Sequence, residues 1–331
     1  MSLNNNKLRV YDSVLDAVGG TPLIRMKKMF PDKQVYLKAE YMNPGGSIKD
    51  RIGIHMIAEA ERKGIIKPGQ TIVEPSSGNT GVGLALAAAI KGYKLVITIP
   101  DKMSVEKGLA LEAFGAEVVW CPTSVEPEDP RSYYSVAEKI AKERGGWVPN
   151  QYENLDNPQT HYLTTGPELW EQTEGKITHF VAGMGTGGTI TGVGKYLKEK
   201  NSAIKLIGAD AKGSILQEAF EHEDRSYNPS SKAVYKLEGI GEDFIPKTLN
   251  LNIVDEVYTV DDKEGFLVTR ETVRSEGLMI GGSGGAAVAV AKRVAPNLSK
   301  DDVMVIIVPD GSRPYLNKLF SDKWMKENKF L

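Results

Sequence analysis

One stretch restricts this chain more than any other: Val181-Ala182-Gly183-Met184-Gly185-Thr186-Gly187-Gly188-Thr189-Ile190-Thr191-Gly192. The apolar run from Thr178 to Ala182 reads as a buried strand, a glycine-rich turn follows, and a helical pattern starts near Gly188. That layout demands an α/β element. It is also a phosphate cradle, because backbone N–H groups in a glycine loop converge on an anion and the positive end of the next helix holds it. Gly183, Gly185 and Gly188 spell G-x-G-x-x-G, and the next strand, Lys205 to Ala209, ends on Asp210. An acid about twenty residues after the loop suits a dinucleotide's ribose. The hydroxyls of Thr186 and Thr189 suit a terminal phosphate instead, and a turn built only for close packing is a third reading.

The rest of the chain alternates in the same rhythm. Gln34 to Glu40, Thr71 to Glu74, Lys94 to Ile99, Glu117 to Trp120 and Val303 to Val308 read as short strands. They are β-branched and bounded by Gly or Pro, as parallel strands buried on both faces are. Helices are expected over Ile48 to Lys63, Asn79 to Ile90, Ser104 to Phe114 and Tyr133 to Arg144. Asn157 to Thr173 reads as a further helix, interrupted at Pro167. Another, capped by Asp261, runs to about Glu276, and Gly281 to Gly285 opens a helix of Ala and Val. Lys212 to Pro246 is the least regular part, with Asn228 to Ser231 as exposed loop. The pattern argues α/β with mostly parallel sheets, and the length of 331 residues with a break near halfway suggests two lobes and a cleft.

Four loops share one character, small residues where a strand ends or a helix begins: Asn43 to Asp50, Glu74 to Gly81, Gly183 to Thr189 and Gly281 to Gly285. Ligands of open α/β sheets bind outside the carboxyl ends of the strands, so four such loops can serve one ligand with several functional groups. Lys49 is the reactive candidate. In the first turn of a helix the dipole disfavours its charge, which lowers its pKa as a Schiff-base amine needs; the bland alternative is a solvated Lys49-Asp50-Arg51 helix start. The nest from Pro75 to Gly81 offers amides and the hydroxyls of Ser76, Ser77 and Thr80 to a carboxylate, against the plainer reading of a helix cap. Ser283 carries the same ambiguity.

Composition narrows the partners. A net charge of −2 with no basic cluster gives no footprint for nucleic acid or an anionic membrane. No run of apolar residues is long enough to span a bilayer, and the first nine residues lack a signal-peptide core. The single cysteine, Cys121, ends an apolar run and reads as a buried, inert thiol in a reducing compartment. Four scattered histidines show no metal-ligand spacing, so no metal is expected, and a cytoplasmic location is.

Asn-Pro-Gly-Gly-Ser-Ile-Lys-Asp-Arg (43–51), Glu-Pro-Ser-Ser-Gly-Asn-Thr-Gly (74–81), Gly-Thr-Gly-Gly-Thr (185–189) and Gly-Gly-Ser-Gly-Gly (281–285) together resemble the fold type II pyridoxal-phosphate enzymes. From about Ser13 onward the chain is similar to the cystathionine β-synthase and cysteine synthase family. The stretches 101–107, 238–241, 243–246 and 321–325 resemble its cystathionine β-synthase branch. The resemblance implies a two-lobed, tryptophan synthase β-like α/β fold. A smaller, mobile lobe spans 45–155, and a larger cofactor-binding lobe comprises 11–44 with 156–331. It implies that Lys49 carries the Schiff base, Asn79 meets the cofactor's 3′-oxygen, Gly185, Thr186, Gly187, Gly188 and Thr189 bind its phosphate, and Ser283 meets the pyridine nitrogen. Ser76, Ser77, Thr80 and Gln151 then hold the substrate carboxylate, with Tyr152, Gly239 and Glu242 also at the substrate.

The implied reaction replaces the β-substituent of serine or O-acetylserine by homocysteine, giving cystathionine, in a homodimer. Cysteine synthesis from O-acetylserine and sulfide is the alternative, and a nicotinamide dehydrogenase built on Gly183 to Asp210 is the distant one. No haem segment and no C-terminal regulatory domain are expected. Glu242 departs from the tyrosine that animal relatives carry in Gly-Ile-Gly-x-Asp-Phe. Either it points to solvent, or it faces the cleft and assists departure of a hydroxyl or steers the amino group of the thiol substrate.

Overall fold

The alternation of apolar runs resolves into two sheets in a computed structural model that describes residues 10–331 apart from 77, 102, 104, 127, 128, 226, 228 and 230–232. Strand β1 (Leu23–Arg25) turns back into β2 (Gln34–Ala39), and α1 (Lys49–Arg62) follows the first glycine loop. Then come β3 (Thr71–Pro75), α2 (Asn79–Lys91), β4 (Lys94–Pro100), α3 (Val105–Ala113), β5 (Glu117–Cys121) and α4 (Tyr133–Arg144). Two short helices, α5 (Asp156–Leu163) and α6 (Thr165–Gln172), lead to β6 (His179–Gly183), α7 (Gly188–Lys200), β7 (Lys205–Ala211) and α8 (Leu216–Glu221). The chain closes with β8 (Glu256–Val260), α9 (Asp262–Glu276), α10 (Gly282–Val294), β9 (Val303–Val308) and α11 (Asp322–Glu327).

The larger sheet has the order β1-β2-β9-β6-β7-β8 and the smaller β3-β4-β5. Among the described strands only β1 pairs antiparallel, with β2; the other strand pairings are parallel. Placing β9 between β2 and β6 puts Leu37 and Val181 on either side of Ile306. It also sets the carboxyl ends of β2, β9, β6 and β7 along one edge, where such sheets bind ligands. Every residue of β9 is buried, as a strand covered on both faces requires. Packed on this sheet, α10 is a run of Gly, Ala and Val with Ala286 to Ala291 at most 1% exposed. Small side chains let the helix lie close to the strands.

Helices α1 and α2 cross almost backbone to backbone. A Cβ at Gly83 would stand 2.3 Å from the Lys49 carbonyl oxygen, and one at Gly53 2.4 Å from the Gly83 carbonyl carbon. Only glycine permits that approach, and it brings the start of α1 beside the start of α2. Their other faces bury Ile52, Met56, Ile57, Leu84 and Ala88 against Ile72, Leu95 and Ile97 of the small sheet.

Several expectations are corrected. The interruption after Asn157 falls at Thr164, whose φ and ψ leave the helix, not at Pro167. Pro167 sits in the first turn of α6, where a missing N–H costs nothing. The strands β1 and β8 and the helices α8 and α11 are additional. Asp261 caps α9 through Glu264 N–H at 2.9 Å, and Ser47 Oγ accepts Lys49 N–H at 3.1 Å. Of the expected loop at Asn228 to Ser231, only Pro229 lies within the described residues. Among the described residues no helix is long and apolar enough to cross a membrane.

Candidate active site

Lys49 opens α1 and its amine makes no hydrogen bond or ion pair with a described residue. Burial lowers its pKa to about 8, against the pull of the Glu242 and Asp310 charges, which raise it. The direction is the one the helix dipole demands, and burial is the cause that lowers it. Beside it Asn79 Nδ2 donates to Asp310 Oδ2 at 2.8 Å, and the Tyr315 hydroxyl donates to the same oxygen at 2.7 Å. Asp310 is buried; its other carboxyl oxygen has no partner among the described residues. The backbone of Pro309 and Asp310 ties in two other loops: Ser47 bridges to Asp310, Ile48 N–H donates to Pro309 O at 2.8 Å, and Gly281 N–H to Asp310 O at 3.0 Å. Asp310 therefore orients Asn79 and adjusts Lys49, a role that Pro309-Asp310-Gly311 at a strand end did not announce.

The central glycine turn stacks on a second one. Met184 N–H donates to Ala209 O at 2.8 Å and Gly241 N–H to Met184 O at 2.7 Å. A Cβ at Gly185 would be 2.8 Å from Gly239 O, and one at Gly239 3.8 Å from Ser283 Oγ. Gly187 adopts φ +78°, the left-handed region, and starts α7, so the turn cannot carry a larger residue there without strain. The amides of Gly185, Thr186 and Gly187 donate to no protein acceptor among the described residues. They lie at the positive end of a thirteen-residue helix, which is an anion site. Ser283, 3% exposed, leaves its hydroxyl without a described partner.

On the other side, the Ser76 hydroxyl oxygen accepts Gly81 N–H at 3.2 Å and Gly78 N–H at 3.4 Å. Ser76 is thus the capping residue of the nest. The Thr80 hydroxyl donates to Gln151 Oε1 at 2.6 Å, and Ser77 lies outside the described residues. Glu74, buried and raised by burial to about 7, accepts Asn150 N–H at 3.0 Å. Glu242 points inward: burial and then Asp243 lift its carboxyl to about 8, while Tyr152, by hydrogen bond, and Lys49, by charge, oppose the rise. Tyr133 and Tyr134, whose rings lie 4.0 Å apart, also feel the Glu242 charge. A tyrosine pair opening a helix was the only sequence signal for them. At the rim, Lys107 of α3 pairs with Glu238 at 2.8 Å, and Lys318 pairs with it at 2.6 Å.

The arrangement fits a phosphorylated pyridine aldehyde: an amine, unspent amides at a helix start, a serine hydroxyl without a described partner and an oriented asparagine sit on loops linked through Asp310 and Gly239. It does not favour a dinucleotide, because Asp210 lies inside β7 and its carboxylate accepts Gln217 N–H at 3.0 Å, holding the start of α8. Cys121 is 3% exposed and burial raises its thiol.

Comparison with known proteins gives the same direction. A family model described as pyridoxal-phosphate dependent enzyme matches residues 14–310. The cystathionine beta-synthase of Apis mellifera is 45% identical over 337 residues, covering 99% of this chain and 65% of that protein. The chain thus spans about two thirds of the length of that relative. A cysteine synthase of Staphylococcus aureus (strain N315) is 42% identical over 309 residues, covering 92% of this chain and 96% of that one. Among solved structures, an O-ureido-L-serine synthase superposes with a TM-score of 0.87 at 32% identity, over 96% of this chain and 100% of that chain.

Proposed function

The chain belongs to the pyridoxal-phosphate dependent enzymes of the cystathionine β-synthase and cysteine synthase family, and from that premise we propose that it condenses L-serine with L-homocysteine to give L-cystathionine. Pyridoxal phosphate supplies an electron sink that acidifies the substrate Cα–H and lets a β-substituent leave. Lys49 is the amine that bonds the aldehyde, and with a pKa near 8 it takes and returns the Cα proton. Gly185 to Thr189 hold the phosphate, Ser283 meets the ring nitrogen, and Asn79, oriented by Asp310, meets the 3′-oxygen. A neutral serine partner leaves the ring a weaker sink, which suits β-replacement over transamination. The Ser76 to Thr80 nest and Gln151 hold the substrate carboxylate. A smaller unit, residues 45–155, closes over it and keeps water out.

Glu242 carries the choice of serine. Its carboxyl, held up to about 8, keeps a proton at neutral pH, and it lies within electrostatic reach of Lys49. Hydroxide leaves poorly without a proton, whereas acetate needs none. The cysteine synthase reading, O-acetylserine plus sulfide, remains the alternative because relatives of both names are similarly close. Incubation with serine and homocysteine should yield cystathionine. Glu242→Gln should lower serine turnover about a hundredfold, within the usual range for an acid catalyst, and leave O-acetylserine turnover within a fewfold. Equal effects on both substrates would refute the assignment.

A further inference from the structure

The side chain that joins the two halves of the site belongs to Asn157, at the second position of α5. It is fully buried. Its Nδ2 donates to Gln151 O at 2.8 Å and to Thr186 Oγ1 at 3.3 Å, so both amide hydrogens are spent. Gln151 is the residue whose side chain accepts the Thr80 hydroxyl at 2.6 Å, and Thr186 belongs to the central glycine turn. One amide therefore spans from the carboxylate side to the phosphate side. Its orientation is dictated, because Gln151 O can only accept. The remaining oxygen, Oδ1, is buried with no partner among the described residues and is packed on Gly188. A Cβ at Gly188 would stand 2.0 Å from it. Thr248 braces the same seam, its hydroxyl lying 2.5 Å from Thr186 O and 3.2 Å from Tyr152 O, but it touches only backbone.

The consequence lies in the Thr186 hydroxyl. Its oxygen accepts from Asn157 Nδ2 at 3.3 Å and from Gly188 N–H at 3.4 Å. A hydroxyl has two acceptor sites and one donor. With both lone pairs occupied, Thr186 can act toward a ligand only as a donor, and a phosphate dianion presents acceptors alone. We propose that Asn157 is a positioning residue that commits the Thr186 hydroxyl to donating toward the cofactor phosphate and locks the Gln151 turn in register with that loop. The proposal rests on the cofactor and not on which amino acid is the substrate.

Titration of the apoprotein with pyridoxal phosphate, followed by absorbance, tests it without turnover. Asn157→Ala should raise the Kd about tenfold, the loss of two modest buried hydrogen bonds. Asn157→Asp, which keeps the shape but replaces the donor by an acceptor that captures the Thr186 hydrogen, should raise it at least as much. Inorganic phosphate, which has no aldehyde for Lys49, should raise the apoprotein melting temperature less in both variants than in the unsubstituted chain. Thr186→Val added to Asn157→Ala should weaken binding by less than Thr186→Val does alone, because the asparagine acts through that hydroxyl. Variants that bind pyridoxal phosphate within twofold of the unsubstituted protein, or full additivity in the double variant, would overturn the proposal. Should Asn157→Ala not fold, the isosteric Asn157→Asp decides alone.

Discussion

Replacing Arg51 by methionine removes the centre of a buried charge cluster two residues beyond Lys49. Arg51 is 4% exposed. It donates Nε and Nη2 to Glu40 at 2.7 and 2.9 Å, and Nη1 and Nη2 to Glu168 at 2.7 and 2.8 Å. Glu40, with no exposed surface, would keep the Thr21 hydroxyl at 2.6 Å and Asn43 Nδ2 at 2.9 Å, but neither carries charge. Removing one partner of a buried ion pair costs about 3–5 kcal/mol, mostly because the other is left uncompensated. The Glu168 carboxyl gives an independent figure. Burial alone would raise it, but hydrogen bonds and charge from Arg51, then Lys38, bring it from 4.5 down to about 2. Such a depression contributes about 3 kcal/mol at neutral pH. Because the folded-state pKa is the lower one, that stability is present above about 4.5 and is lost as pH falls toward 2. Urea unfolding, followed by tryptophan fluorescence, should show Arg51→Met about 3–5 kcal/mol less stable at pH 7. The deficit should shrink by about 1–2 kcal/mol at pH 3.5. A deficit below about 1 kcal/mol, or one independent of pH, would refute the reasoning.

Other outcomes follow from single contacts. Capture of pyridoxal phosphate by the apoprotein should accelerate with pH around a midpoint near 8, because only the neutral Lys49 amine attacks. Asp310→Asn removes a charge that raises this pKa, so the stopped-flow midpoint should move to lower pH; an unmoved midpoint would sink the assignment of Asp310. Asp261→Ala deletes the cap on Glu264 N–H and should lower stability by about 1 kcal/mol, read from the urea midpoint, with cofactor binding unchanged.

Much of this molecule is legible where a local signal suffices. Tyr133 to Arg144 is a helix with the bounds its periodicity indicates, and the Asp261 cap is a contact across three residues. The unforeseen strands are those without such a signal. Three-residue β1 exists by pairing with β2, and the half-buried β8 by pairing with β7. The split at Thr164 is equally invisible, since the breakers in view, Pro158, Gly166 and Pro167, fall inside the first turns of the two helices and not at the break. In the site, the four small-residue loops announced themselves by composition. Asp310, Tyr133, Tyr134, Asn157 and Thr248 did not, because each acts through a partner distant in the chain; Asn79 and Asp310 are 231 residues apart.

What the amino-acid order determined alone was the set of local conformations: where strands give way to glycine turns, and which helix starts can hold an anion. Those follow from steric limits on each residue and from hydrogen bonds within a few positions. Charge state and direction were left to the tertiary structure. Burial draws Lys49 down to about 8, and burial, then Asp243, lifts the Glu242 carboxyl to about 8. Folding alone brings an asparagine from one helix against both halves of the cleft, because desolvation and long-range contact come into being only when distant segments pack.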